Sequence, residues 1–502
     1  MKKNNRNTLR HWVVALTMLW SVPSLAGDLV DARIDFPFAD DNILRDAGED
    51  RQSSPDASFT PPSGIDYDSF IHLGLYKRLD KGEAFVPEAA LYLKLDVAEG
   101  ELRDDSSYIR LNYFVDGKAR KNSLYMQFIP VDADRERLGF HHEISWGGTD
   151  TFPVNFRGSH APAAKLGFDS DVFYLYGAVK TALLRSAAEL ELDNETGNTT
   201  LFVERTFYGY LGGTGVELGV KGLWLEVNGG YFQKGTNNKA EVLGKPVHAF
   251  GGSAQLSYAS GTKIHRRIDL GLYRLDPKRF DVTASNETVE DTEFRVALEG
   301  TALDQVLADL DNPGSTGHEL SLAGFLSSAI QHKDLRIHLD AGMRELSFLT
   351  FDVPGFIPNA ILPNGAETTP ELSGVLAADY SFENGLTPYG QFGVQMPAVY
   401  RGVVPAGQNA ATVLQGVNRV VVRGTDPGDW DILPEGEEEQ VVLSSKMGLR
   451  WTYAKDFSIL AELTYKNDPN RALLRKDAYG IAHRVFVDPN ILGIAVLASM
   501  RF

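Results

Sequence analysis

The sequence predicts an all-β fold: a transmembrane antiparallel β-barrel of eighteen strands, with sixteen as the alternative count. Three observations carry this. The chain opens on an export signal. From residue 67 to the end it runs in segments of about ten residues that alternate apolar and polar. Its last strand alternates up to a terminal phenylalanine, Phe502.

The composition bounds the reading. The chain has 502 residues, 43% of them hydrophobic, which is too apolar for a disordered chain. After residue 26 no stretch approaches the roughly 18–20 consecutive apolar residues that a membrane-spanning helix needs. The 48 glycines are scattered, as many turns and close strand contacts require. Cysteine is absent, which excludes a disulfide framework, a Cys-ligated zinc site, a thiol nucleophile and a lipid-anchored N-terminal cysteine. The net charge of −18 argues against nucleic acid as a partner.

Residues 1–26 read as a secretory signal peptide. Lys2, Lys3, Arg6 and Arg10 precede the apolar run Trp12–Trp20, Pro23 breaks it, and Ser24-Leu25-Ala26 offers small residues for cleavage. Residues 27–66 read as an irregular N-terminal segment, a plug or a periplasmic extension. Acids such as Asp40, Asp41 and Asp46 sit there among Pro55, Pro61 and Pro62.

The barrel is expected over 67–502. Leu91, Leu93 and Leu95 oppose Tyr92, Lys94 and Asp96. Ile109, Leu111 and Tyr113 oppose Arg110 and Asn112. Leu138, Phe140, His142, Ile144 and Trp146 oppose His141, Glu143 and Ser145. Leu223, Leu225 and Val227 oppose Glu226 and Asn228. Leu335, Ile337, Leu339 and Met343 oppose Arg336, His338, Asp340 and Arg344, and Met447, Leu449 and Trp451 oppose Lys446, Arg450 and Thr452. Strand side chains change face at every residue, so each segment has one greasy and one ionic face. Aromatics near strand ends, Tyr113, Trp146, Tyr453 and Tyr465, mark interfacial girdles.

Loop lengths add a second pattern. Counting back from Phe502, 467–490, 401–439 and 350–370 are long, while 454–456, 383–386 and 328–333 are short. Outer-membrane barrels alternate in this way. The alternation fails between 261 and 317, where a strand is missed or invented.

The ending Ile494, Val496, Ala498, Met500, Phe502 resembles the C-terminal strand of bacterial outer-membrane proteins, with Met500 where a second aromatic is usual. Taken whole, the chain resembles the porin-like outer-membrane proteins of Gram-negative bacteria. The resemblance implies residence in the cell outer membrane and passage of small polar solutes. It also implies contact with outer-membrane lipid and lipopolysaccharide, recognition of the last strand by the barrel-insertion machinery, and a homo-oligomer as one arrangement.

No motif points to catalysis, a cofactor or a metal. His141 and His142 point to opposite faces of a strand, so they do not readily share a zinc ion. The glycines of 212–219 lack a Walker lysine and the dinucleotide spacing, and a tight hairpin explains them. No G-x-S-x-G is present. Glu435, Glu437, Glu438 and Glu439 read as a solvated loop, or as cation-bridged contact with lipopolysaccharide. An enzyme is therefore not expected.

The functional expectation rests on the ionic face. Lys94, Asp96, Arg110, Asn112, His141, Glu143, Glu226, Arg336, His338, Asp340, Arg344, Lys446, Arg450 and Glu462 are expected to line a channel, because a barrel this wide is not filled by side chains alone. On one strand, Arg336, His338 and Arg344 outnumber Asp340, so that patch is expected to favour anions. The alternatives are a barrel within a larger envelope machine for polysaccharide export or motility, an outer-membrane enzyme, and a secreted soluble β protein.

Overall fold

The computed structural model describes residues 31–40, 68–79, 84–96, 102–104, 107–117, 121–131, 138–140, 162–193, 197–237, 242–260, 292–309, 311–350, 361–402, 419–422, 430–454, 457–476 and 479–501. The signal segment 1–26 lies outside them. So do 27–30 and 41–66, where an irregular segment, a plug or a periplasmic extension, was expected.

The first half of the wall is built by β1 (Asp31–Asp40), β2 (Asp68–Arg78), β3 (Phe85–Asp96), β4 (Leu102–Asp104), β5 (Tyr108–Phe114), β6 (Ser123–Ile129), β7 (Ala163–Asp169), β8 (Phe173–Asp193) and β9 (Gly197–Glu217). Then come β10 (Leu223–Thr236), β11 (Pro246–Ser260), β12 (Thr292–Ala308), β13 (Thr316–His332) and β14 (Leu335–Arg344). A short helix, α1 (Leu346–Thr350), and the small strand β15 (Glu367–Thr369) follow, before the wall strands β16 (Glu371–Tyr380) and β17 (Leu386–Met396). Three more strands leave the wall, β18 (Ala398–Arg401), β19 (Arg419–Val422) and β20 (Trp430–Ile432). The wall resumes with β21 (Val442–Ala454) and β22 (Phe457–Asn467). A hairpin of β23 (Ala472–Lys476) and β24 (Ala482–Phe486) precedes the last strand, β25 (Asn490–Arg501).

Wall neighbours in sequence are antiparallel neighbours in space. β4 and β5 both pair with β3, at Leu93↔Asp104 and Ala90↔Tyr108, so they form one interrupted stave. The wall therefore has eighteen staves, and β1 seals it against β25 from Arg33↔Arg501 to Asp40↔Ile494.

That seal corrects the sequence reading. Residues 31–40 were assigned to an irregular segment, yet they form the first stave, and the barrel begins at Asp31 rather than at residue 67. Pro37 hid it. Proline lacks an N–H, and the pairing of β1 with β2 passes from Asp35↔His72 to Phe38↔Ser69 without it.

Facing follows the alternation. Leu91, Leu225, Ile337, Leu339 and Leu449 are exposed on the outside, and Asn112, Glu226, Arg336, Asp340, Lys446 and Arg450 are buried on the inside. So broad an apolar exterior fits lipid and not water. Exposed Tyr113, Tyr380, Trp451 and Tyr453 ring one end of the wall and Tyr210 and Tyr465 the other. Three of these aromatics are braced by edge contacts, Tyr380 on Phe382 at 4.8 Å and Trp451 and Tyr453 on each other at 5.3 Å. An even number of antiparallel staves, a closed seam, an apolar outer band and aromatic girdles define a transmembrane barrel of outer-membrane type.

The two ends differ. The end holding both termini of the wall carries tight turns, such as Lys333-Asp334 between β13 and β14 and the turn at Gly385. Gly385 has φ +80° and a Cβ there would strike the Thr452 carbonyl, so glycine is required. The long connections lie at the opposite end. Between residues 261 and 317 the described strands pair in sequence order, β11 with β12 and β12 with β13, and it is the loop lengths that break the pattern. The thirty-one-residue connection from Ser260 to Thr292 falls at the short-turn end, and the seven-residue connection from Ala308 to Thr316 at the long-loop end.

On the inner face the register sets tyrosines opposite glycines on the next stave: Tyr92 on Gly74, Tyr125 on Gly167, Tyr176 on Gly213, Tyr174 on Gly215 and Tyr389 on Gly448. A Cβ on any of these glycines would crowd the tyrosine ring.

Candidate functional site: the lumen and its two inward segments

The inner face of β14 to β22 is a wall of paired charges. Arg344 donates to Glu371 through Nε at 3.0 Å and Nη2 at 2.5 Å, and both side chains are 1% exposed. Gln395 donates to the other oxygen of Glu371 at 2.7 Å. Arg336 binds Asp379 at 2.7 Å. Lys446 binds Glu462 at 3.1 Å, and the Tyr389 hydroxyl donates to the same carboxylate.

These pairs overturn the expectation of a local anion preference. Counted along β14 alone the cations are in excess. The carboxylates Glu371 and Asp379 arrive from β16, opposite Arg344 and Arg336 in the register.

A second polar group lies near the short-turn end. Arg110 reaches Asp169 at 3.0 Å and Glu88 at 3.7 Å, donates to Asn112 at 2.8 Å, and stacks 3.8 Å above the Tyr125 ring. A cavity of about 330 Å³ opens beside it, lined also by Lys121 and Asp171.

The opposite side of the lumen, from β8 to β13, is filled. Leu138 and Phe348, each from a connection at the long-loop end, are fully buried against Ala178, Leu211, Phe232, Ala249, Leu303 and Ala323. Polar wall residues clamp both segments. Asn228 accepts from the Gly139 amide at 3.1 Å and donates back to its carbonyl at 3.2 Å. Glu299 accepts from the Phe140 amide at 2.8 Å and from Ser253 at 2.6 Å. Around α1, Ser347 donates to Glu319 at 2.6 Å and Gln305 donates to the Ser347 carbonyl at 3.1 Å.

The stretch beginning at Leu138 was expected to be a stave. Its described part, Leu138–Phe140, lies inside the barrel. Its apolar residues do alternate, but Leu138 meets an apolar lumen cluster rather than lipid.

At the long-loop end a separate core forms from Val242, Ala308, Leu346, Leu349, Ala398, Tyr400, Val420 and Val422. Two strands of the long connection 401–439, β19 and β20, join β18 and β15 in a small sheet of order β15-β18-β19-β20. Of its acidic run, Glu438 and Glu439 are bound by Arg419 at 3.2 and 2.6 Å. Hydrogen bonding to Glu439 pushes the Arg419 pKa up.

Of the fourteen residues expected to line a channel, Arg110, Asn112, Glu226, Arg336, His338, Asp340, Arg344, Lys446, Arg450 and Glu462 share the inner face. The register places Lys94 opposite His72 and Asp96 opposite Phe70 on β3. His141 and Glu143 lie outside the described residues. The sequence reading missed Glu299, Glu371, Asp379 and Lys180. The loop lengths already left a strand between 370 and 383, and its inward parity would have found Glu371 and Asp379; Glu299 falls where the segmentation failed.

No protein-family model and no curated protein matches the chain. Among solved structures, the chain is similar to Pseudomonas aeruginosa OpdQ, at 9% identity and TM-score 0.43, covering 94% of this chain and 97% of that one. It is similar to OccK11 (OpdR) of the same organism, at 9% identity and TM-score 0.42, covering 94% and 95%. It is also similar to an anion-selective porin from Comamonas acidovorans, at 9% identity and TM-score 0.37, covering 94% and 98%.

Proposed function

We propose that the chain is a channel of the outer membrane, not an enzyme, and that small polar solutes pass through the lumen, whose wall the buried ion pairs between β14 and β22 brace. The observation that carries this is the division of the interior. One side is filled by Leu138 and Phe348 on an apolar seat, and the other is a wall of charges that lipid would not host. Eighteen staves enclose more space than wall side chains fill, and the two inward segments narrow it from one side. Each of Arg344, Arg336 and Lys446 is matched by a carboxylate, so this sector gives the path little charge preference.

Planar-bilayer recording of the purified barrel tests the proposal. Stepwise conductance with a reversal potential near zero under a KCl gradient is expected. A barrel that shows heat-modifiable migration on gels yet never conducts would overturn the channel and leave a plugged barrel within a larger envelope assembly.

A further inference from the structure

The hairpin of β23 and β24 at the long-loop end is built unlike the rest of the molecule. In a chain of net charge −18, residues 471–486 carry Arg471, Arg475, Lys476 and Arg484 against Asp477 alone, with His483 besides. The same hairpin displays large apolar groups. Tyr479 is 89% exposed, Ile481 64%, Leu474 60% and Phe486 40%. The register sets Leu474 opposite Arg484 on one face and Arg475 opposite His483 on the other, so each face of the hairpin carries a cation.

The base of the hairpin is fixed. The Ala472 amide donates to Asp431 of β20 at 3.4 Å, and Arg471 donates to the Asp488 carbonyl at 2.5 Å. Burial pushes the Arg484 pKa down, and the nearby Asp431 partly offsets that. Arg484, half-buried, therefore belongs to the seat, while Arg475, Tyr479 and Ile481 are exposed.

We propose that this hairpin is an interfacial anchor that holds the phosphate groups of anionic lipid in the outer leaflet. Cations interleaved with exposed aromatic and aliphatic groups are the chemistry of a membrane headgroup zone: the apolar groups enter the acyl boundary and the cations meet phosphate. Continuity supports this occupant. The hairpin springs from Asn467 of β22 and Asn490 of β25, and the outward side chains of these staves, Leu463, Tyr465 and Val496, already belong to the lipid-facing band. The acidic run 435–439 is the poorer candidate for lipid contact, because Arg419 engages Glu438 and Glu439.

The inference rests on the outer-membrane reading and is tested so that the two fail separately. Full-length protein in detergent is mixed with lipid A carrying two phosphates, or with the same lipid dephosphorylated, and bound lipid is counted by native mass spectrometry. The phosphorylated form should be retained more strongly. Arg475→Gln with Lys476→Gln should weaken it about 30-fold, at about 1 kcal/mol for each cation lost, and leave the dephosphorylated form unchanged. Leu474→Ser with Ile481→Ser should weaken both forms alike. Glu435→Gln with Glu437→Gln should change neither.

Heat-modifiable gel migration of every variant separates lost binding from lost folding. Equal retention of the two lipids by the parent, or retention within twofold in the Gln variant, would overturn the anchor while the barrel stands. A parent that stays soluble without detergent and shows no heat-modifiable form would overturn the membrane reading itself.

Discussion

Replacing Arg344 by methionine strikes the most enclosed ion pair described in the lumen. It removes two hydrogen bonds to Glu371, at 3.0 and 2.5 Å, and takes the cation from a carboxylate that the Gln395 amide still meets at 2.7 Å, in a site 1% exposed. An uncompensated buried charge of this kind costs about 3–5 kcal/mol. The companion change, Glu371→Leu in the Arg344→Met background, removes the stranded charge and should restore stability to the parent value or above it. Unfolding by urea of barrels reconstituted in phospholipid vesicles, followed by tryptophan fluorescence, measures both. A loss under about 1 kcal/mol in Arg344→Met would mean that water reaches the pair. A double variant no more stable than the single one would show that the loss lies in packing rather than charge. Either result would refute the reasoning.

Leu339→Arg places a cation on the outward face, 48% exposed to lipid, and should cost about 2–4 kcal/mol near the midplane in the same unfolding assay. Phe348→Ala empties the apolar seat of α1 and should cost about 3–5 kcal/mol while raising single-channel conductance in planar bilayers. Unchanged conductance would place the path elsewhere. Gly448→Ala sets a methyl group against the Tyr389 ring and should destabilise the barrel by about 1–3 kcal/mol. Adding Tyr389→Ala should relieve most of that crowding, as a double-mutant cycle would show.

The wall was legible because lipid enforces a two-residue period that water does not. Ile337 and Leu339 could be assigned outward, and Arg336 and Asp340 inward, from spacing alone. The alternation at Leu138 was equally clean and misled for its described residues, Leu138–Phe140, because a residue laid on an apolar patch inside the barrel reads the same as one laid in the membrane. The first stave was hidden by Pro37 and by acids at both ends. The partners of Arg336 and Arg344 could not be read at all. They sit more than twenty residues away, on β16, and only the register brings them opposite. A candidate site made of cross-stave pairs is therefore visible in a sequence as halves and never as pairs.

The tyrosines seated on glycines bear on how this barrel chooses its bore. A stave can slide by two residues against its neighbour and still keep every side chain on its proper face, so alternation alone leaves a ladder of allowed assemblies. Those assemblies differ in shear, and shear together with stave number fixes strand tilt and diameter. Each tyrosine fits a gap on the adjacent stave in one of these settings and meets a side chain in the next. Tyr174 and Tyr176 stand on Gly215 and Gly213, two neighbouring notches of one seam, so a two-residue slip would leave at least one ring without its gap. Such contacts act as detents, and the five of them, spread over four seams, select a single caliber from a set that lipid by itself would accept equally.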